Sequence, residues 1–135
     1  MASGIYNRFK ANLMKKDIDL EVDTIKVMLL SSSHAFNPDH NLVSQISANE
    51  ITGTGYTAGG AALANKTVTQ DDTNDKAKWD ADDVSWQNST ITARFAVLYD
   101  ANNNLIACID FAEDKSSSSG EFKIQWHADG IVTLS

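Results

Sequence analysis

The chain has one cysteine, one proline, few cations and no long apolar run in its 135 residues, and these scarcities exclude several readings. A lone thiol, Cys108, cannot close a disulfide within the chain, so stability has to come from an apolar core or from assembly with other copies. Cys108 lies inside the apolar run LIACIDF, the setting of a small buried core residue and not of a reactive thiol. The longest apolar runs, such as Val27 to Leu30 and Leu105 to Ile109, fall far short of the roughly 20 residues that cross a bilayer. The first residues, MASGIYNRFK, lack the apolar stretch of a secretory signal. The chain therefore reads as a protein made in the cytoplasm with no membrane partner.

Cations number 11 against 18 acids, for a net charge of −7 and a pI near 4.7. The only basic cluster is Arg8, Lys10, Lys15 and Lys16, and Asp17, Asp19, Glu21 and Asp23 follow it at once. Nucleic-acid binding needs clustered cations to neutralise phosphates, so DNA and RNA are not expected as partners.

What is present is the pattern of one β-rich domain. Apolar residues make up 42%, enough for a single core in a chain of this length. Ile5, Phe9 and Leu13, with Tyr6 and Met14 beside them, share one face at helical spacing. Ser3 is the expected N-cap, and Lys15 and Lys16 suit the negative end of the helix dipole. From Ile18 the period becomes two, through Leu20 and Val22 and into the strand TIKVMLLS. The segment 32 to 51 is mixed, holds Pro38, and has a possible helical turn from His40 to Ile46. Residues 61 to 70 read as a strand, and 71 to 83, with six aspartates and two lysines, as a solvated loop. STITARFAVLY places Ile91, Ala93, Phe95, Val97 and Tyr99 on one face, and DANNN turns the chain into LIACIDF. AEDKSSSSG reads as a loop. EFKIQWH points Phe122, Ile124 and Trp126 inward, and Asp129-Gly130 closes a terminal hairpin with IVTLS. The fold expected is mainly β: a single antiparallel β-sandwich or jelly-roll-like domain over 1–135, with an N-terminal α-helix or arm at 1–16 and the β domain at 17–135.

Few of the chemical motifs survive inspection. TGTGYTAGG, residues 52–60, gathers four glycines, yet it lacks the Lys-Ser/Thr of a Walker loop, and its glycine spacing is not that of a dinucleotide loop. Its expected role is conformational: two tight bends that hold Tyr56 as a core plug or as an anchor on a partner. The aspartate-rich segment fails the EF-hand pattern, because Lys76 falls where the glycine belongs. A looser metal site from Asp80, Asp82 and Asp83 is the alternative to a plain surface loop, with Trp79 and Trp86 packing the segment down. His34, His40 and His127 match no zinc spacing, there is no G-x-S-x-G elbow, and no catalytic residue or cofactor is expected.

Three stretches together carry a resemblance: ITGTGYTAGGAALANKTVTQDDTNDKAKWDADDVSWQNSTITARFAVLYD, then LIACIDFAEDKSSSSGEFKIQWHADGIVTL, and the N-terminal helix leading into DTIKVMLL. In TGYTAGG, DADDVSW, TARFAVLYD and IDF before a Ser/Gly loop, the chain resembles a family of small virion proteins of tailed bacteriophages and prophages. That resemblance implies a non-enzymatic structural protein of the virion. A capsid decoration (cement) protein would bind the outer shell, with the major capsid protein and copies of itself, typically as a homotrimer, as partners. The alternatives are a tail, neck or fibre component, or a metal-dependent lectin or enzyme module. Ile5, Tyr6 and Phe9 of the arm, and Tyr56 of the glycine loop, are the expected interface residues.

Overall fold

In a computed structural model, residues 3–135 are described; the first two positions of the expected arm lie outside them. The chain runs through β1 (Gly4–Ile5), α1 (Asn7–Met14), β2 (Ile25–Leu30), β3 (Ala61–Ala62), β4 (Thr67–Asp71), β5 (Lys76–Asp80), β6 (Val84–Ser89), β7 (Thr92–Asp100), β8 (Leu105–Ser116), β9 (Gly120–Ile124) and β10 (Val132–Leu134). Two short 3-10 turns, Val43–Gln45 and Ser47–Asn49, occupy the mixed segment. All strand pairs are antiparallel. They form a five-stranded sheet in the order β1-β8-β7-β2-β3, a three-stranded sheet β10-β5-β4 and the pair β6-β9. The result is the expected mainly β, sandwich-like fold with one N-terminal helix.

The five-stranded sheet is the middle layer, and its central strands are buried on both faces. Period-two alternation sends Ile25, Val27 and Leu29 into one cluster and Met28 and Leu30 into the other. The larger cluster joins this face to the small sheets through Trp79, Trp86, Phe122, Ile124, Trp126 and Val132. The smaller one gathers Tyr6, Phe95, Val97, Tyr99, Leu105 and Cys108 under the segment that carries Phe36 and Ile46. LIACIDF, covered on both sides as its composition implies, divides the same way: Ile106 faces the first cluster, Leu105 and Cys108 the second.

Several local expectations change. The helix begins at Asn7, Ile5 belongs to a strand, and Tyr6 is the N-cap without a side-chain cap. Ser3 instead accepts a hydrogen bond from the Asp110 backbone N–H at 2.9 Å, 107 residues away. Residues 17–23 form a turn and no strand, because the Asp19 carboxylate accepts the backbone N–H groups of Glu21 and Val22 (3.0 and 3.3 Å) and closes the chain locally. The aspartate-rich segment is a β-hairpin, with β4 and β5 paired from Thr67↔Asp80 to Asp71↔Lys76. Ile91 and Ala93 do not share a face with Phe95, Val97 and Tyr99: the register of β7 on β8 breaks between Ala93 and Phe95, and the side chains change clusters there. Strand β8 continues through AEDKS, paired as Ala93↔Lys115 and Thr92↔Ser116. The terminal hairpin is also replaced: β9 pairs with β6, while β10 passes on to β5.

Candidate interaction site

The glycine stretch resolves into a plug. Gly55, Gly59 and Gly60 all have positive φ, at 84°, 95° and 80°, which glycine adopts without strain. At Gly60 a Cβ would drive into the Val27 carbonyl, so the loop can lie flat on β2 only with glycine there. The bends turn Tyr56 inward against Trp86, ring centroids 5.9 Å apart. Its hydroxyl donates to Glu50 Oε2 at 2.6 Å and accepts from the Leu29 backbone N–H at 3.1 Å. The Gly59 N–H donates to the same Glu50 oxygen at 2.7 Å, and the Tyr99 hydroxyl donates to the Gly59 carbonyl. Burial first, then the bond to Glu50, pushes the Tyr56 phenol far above its ordinary range, so it remains a donor. Of the two roles open to Tyr56 in the sequence, the core plug is the one its contacts describe.

The other expected interface residues lie inside or against the same body. Tyr6 is 0% and Phe9 2% exposed, each in one of the two clusters, and the half-buried Ile5 packs on the first. Tyr6 and Phe9 have no free face for a partner and serve the chain's own core, while Ile5 keeps part of its surface exposed.

Asp80, Asp82 and Asp83 are held apart by separate duties. Asp80 accepts from the Ala81 N–H at 2.9 Å, Asp82 from Asn65 Nδ2 at 2.5 Å, and Asp83 from the Trp126 N–H at 3.0 Å. Among the described residues no group of three His, Cys, Asp or Glu side chains is arranged to hold a metal ion. Trp79 and Trp86 are buried as expected, and the Trp79 indole N–H donates to the Leu20 carbonyl at 3.0 Å. His34 is buried edge-on against Phe95, and its Nε2 has no partner; burial, with His40 nearby, lowers its pKa. Cys108 is buried and pushed up to about 12 by that burial, an inert thiol at neutral pH.

The exposed feature that does look outward is a groove of about 300 Å³ between α1 and the small sheet. The helix side of it is Phe9, Leu13 and Lys16, and the turn after the helix adds Ile18, Asp19 and Leu20. The sheet side is Val68 of β4, Ala77, Lys78 and Trp79 of β5, and Val132 and Leu134 of β10. Registry explains the apolar floor, since Val132 and Val68 both pair with Trp79, and Leu134 pairs with Ala77, which sets rows of apolar side chains across the three strands. Two of these side chains remain substantially in water, Val68 at 45% and Leu134 at 56% exposure. Nearby in sequence, Met14 and Val22 are 85% and 78% exposed. Sequence reasoning missed this surface. It placed Val22 in an alternating strand and read β5 as part of a solvated loop, so that the strand expected over 61–70 had no partner; the alternation in KAKWD was the available signal.

No protein-family model matches the chain, and neither a curated protein nor a solved structure matches it.

Proposed function

We propose that this protein is a structural, non-catalytic component of a tailed-phage virion, in the role of a capsid decoration protein that binds the outer shell and clamps neighbouring capsomers. The resemblance of its motifs to that virion family motivates the reading. The observation that carries it is the apolar groove, with Leu134 and Val68 left in water on a small acidic β-sandwich. Contiguous exposed apolar surface on a compact domain marks a place where another protein sits. Many weak contacts of this kind, repeated around a shell, add up to strong clamping. Net charge of −7 favours solubility before assembly and leaves packaged DNA uncontested. The contact surface in this reading is the groove and not Tyr6 or Phe9, so deleting the N-terminal segment would unmake the core before it tested binding.

The decisive measurement is copy number in purified particles, by quantitative mass spectrometry, joined to co-sedimentation of the protein with expanded, emptied shells. Hundreds of copies per particle and saturable shell binding are expected. A count of a handful per particle would move the protein to the neck or tail, and absence from particles would end the virion reading.

A further inference from the structure

The turn that follows α1 is built as an anchor. Asp19 and Asp23 close it from both sides: the Asp19 N–H donates to Asp23 Oδ2 at 2.9 Å, the Asp23 N–H donates to the Asp19 carbonyl at 2.9 Å, and Asp19 Oδ1 accepts from Glu21 and Val22. Glu21 then ties the turn to β4, accepting the Val68 N–H at 3.0 Å. With its backbone satisfied internally, the turn holds Val22 out in water in a fixed position. A rigid, exposed aliphatic side chain forfeits little entropy when it is covered.

Its complement lies next to it. The groove is apolar, and its charged lining is Lys16 and Lys78 against Asp19 alone, while Arg8, Lys10 and Lys15 lie on or just after α1, where no acid occurs between Asn7 and Lys16. Lys16 reaches the groove itself and makes no ion pair among the described residues. Val22 is flanked by acids, as Glu21-Val22-Asp23. An apolar knob between carboxylates and an apolar groove beside lysines match in shape class and in charge. Within one chain the match cannot be made, because Ile18 and Leu20 of the same turn already form the groove wall.

We propose that the groove receives the Glu21–Asp23 turn of a second copy of this chain. Donor and acceptor are neighbours in one copy, tied by the Glu21 bond to the Val68 N–H, so two copies related by a two-fold axis can each give and receive at once and close as a pair. This contact uses the same groove as the virion reading, as a contact between copies and not with the shell, and it is tested without particles.

Sedimentation of the wild-type protein at about 100 µM is expected to give a closed oligomer, and Val22→Asp and Leu134→Asp are each expected to give monomers with unchanged circular dichroism. Both positions are exposed, so the fold should tolerate the charge. As a second test, mixing Val22→Cys with Leu134→Cys proteins under mild oxidation should yield the mixed cross-linked dimer in preference to either self-dimer, since Cys108 is buried. A monomeric wild type, or variants that keep the wild-type mass, overturns the proposal. If the wild type is monomeric while both Asp variants lose shell binding, the groove faces another virion protein: this inference falls and the functional reading stands. If the oligomer dissociates as expected but the protein is absent from particles, the self-contact stands and the functional reading falls.

Discussion

On one face of the central sheet the buried polar groups find partners: Trp79 Nε1 meets the Leu20 carbonyl, Trp126 Nε1 meets the Asp82 carbonyl at 2.9 Å, and Ser89 Oγ meets both the Trp86 and Gly120 carbonyls at 3.0 Å. On the other face the Tyr6 hydroxyl and His34 Nε2 are buried with none, the hydroxyl lying beside the Cys108 thiol. Both faces exclude water, yet the second leaves these two atoms unmet even though its Tyr99 hydroxyl reaches the Gly59 carbonyl. An unmet buried donor or acceptor costs what a met one returns, so equal burial does not mean equal stabilisation.

The contrast can be broken hardest at Trp79, which floors the groove and carries an indole bond across to the turn after α1. Trp79→Ala should cost about 3–5 kcal/mol in urea unfolding, and a loss below about 1 kcal/mol would show that the small sheet is not integral to the core. Next comes a matched pair of hydroxyl deletions. Tyr56→Phe leaves the Leu29 N–H without its acceptor and should cost about 1–3 kcal/mol. Acidification probes the other face. Burial holds His34 below its ordinary pKa, so above about pH 6.5 the ring is neutral folded and unfolded and no stability is lost. As pH falls through that value the unfolded ring takes up a proton that the folded one refuses, and stability drops until the lowered folded pKa is reached. The wild type should lose more stability than His34→Leu between pH 7 and pH 5, and parallel losses would remove His34 from the account. The smallest effect expected is that of Tyr6→Phe, the second hydroxyl deletion, a gain of up to about 1 kcal/mol in urea unfolding, because the buried hydroxyl it removes has no partner.

Much of the fold could be read from the chain because alternation is a local signal. TIKVMLLS, LIACIDF and EFKIQWH each announce strands whose burial follows from side-chain direction alone. The misreadings came where one side chain overrode the pattern. Asp19 captured two backbone N–H groups and turned a promising alternation, Ile18-Leu20-Val22, into a knuckle. In KAKWD, lysines and an aspartate masked a strand whose inward residues are only Ala77 and Trp79. Strand partners were the least legible, since nothing local in IVTLS says that it pairs with β5 and not with β9. The groove inherits that difficulty, being assembled from four segments spread over residues 9 to 134. Aromatic residues near the N-terminus looked like surface anchors for the same reason: whether Tyr6 and Phe9 face a partner or the chain's own core depends on where distant strands come to rest.

The pairing of β1 with β8, reinforced by the Ser3–Asp110 bond, also bears on how the molecule reaches this state. Among the described residues only the β4–β5 and β7–β8 pairs are hairpins, while β1–β8, β2–β7 and β10–β5 close loops of fifty residues or more. Loop closure precedes any stabilising contact, so chains of this topology fold on the millisecond-to-second scale and not in microseconds. The local hairpins need no long loop to close, whereas β1, which leads into α1, has its partner about 100 residues away in β8.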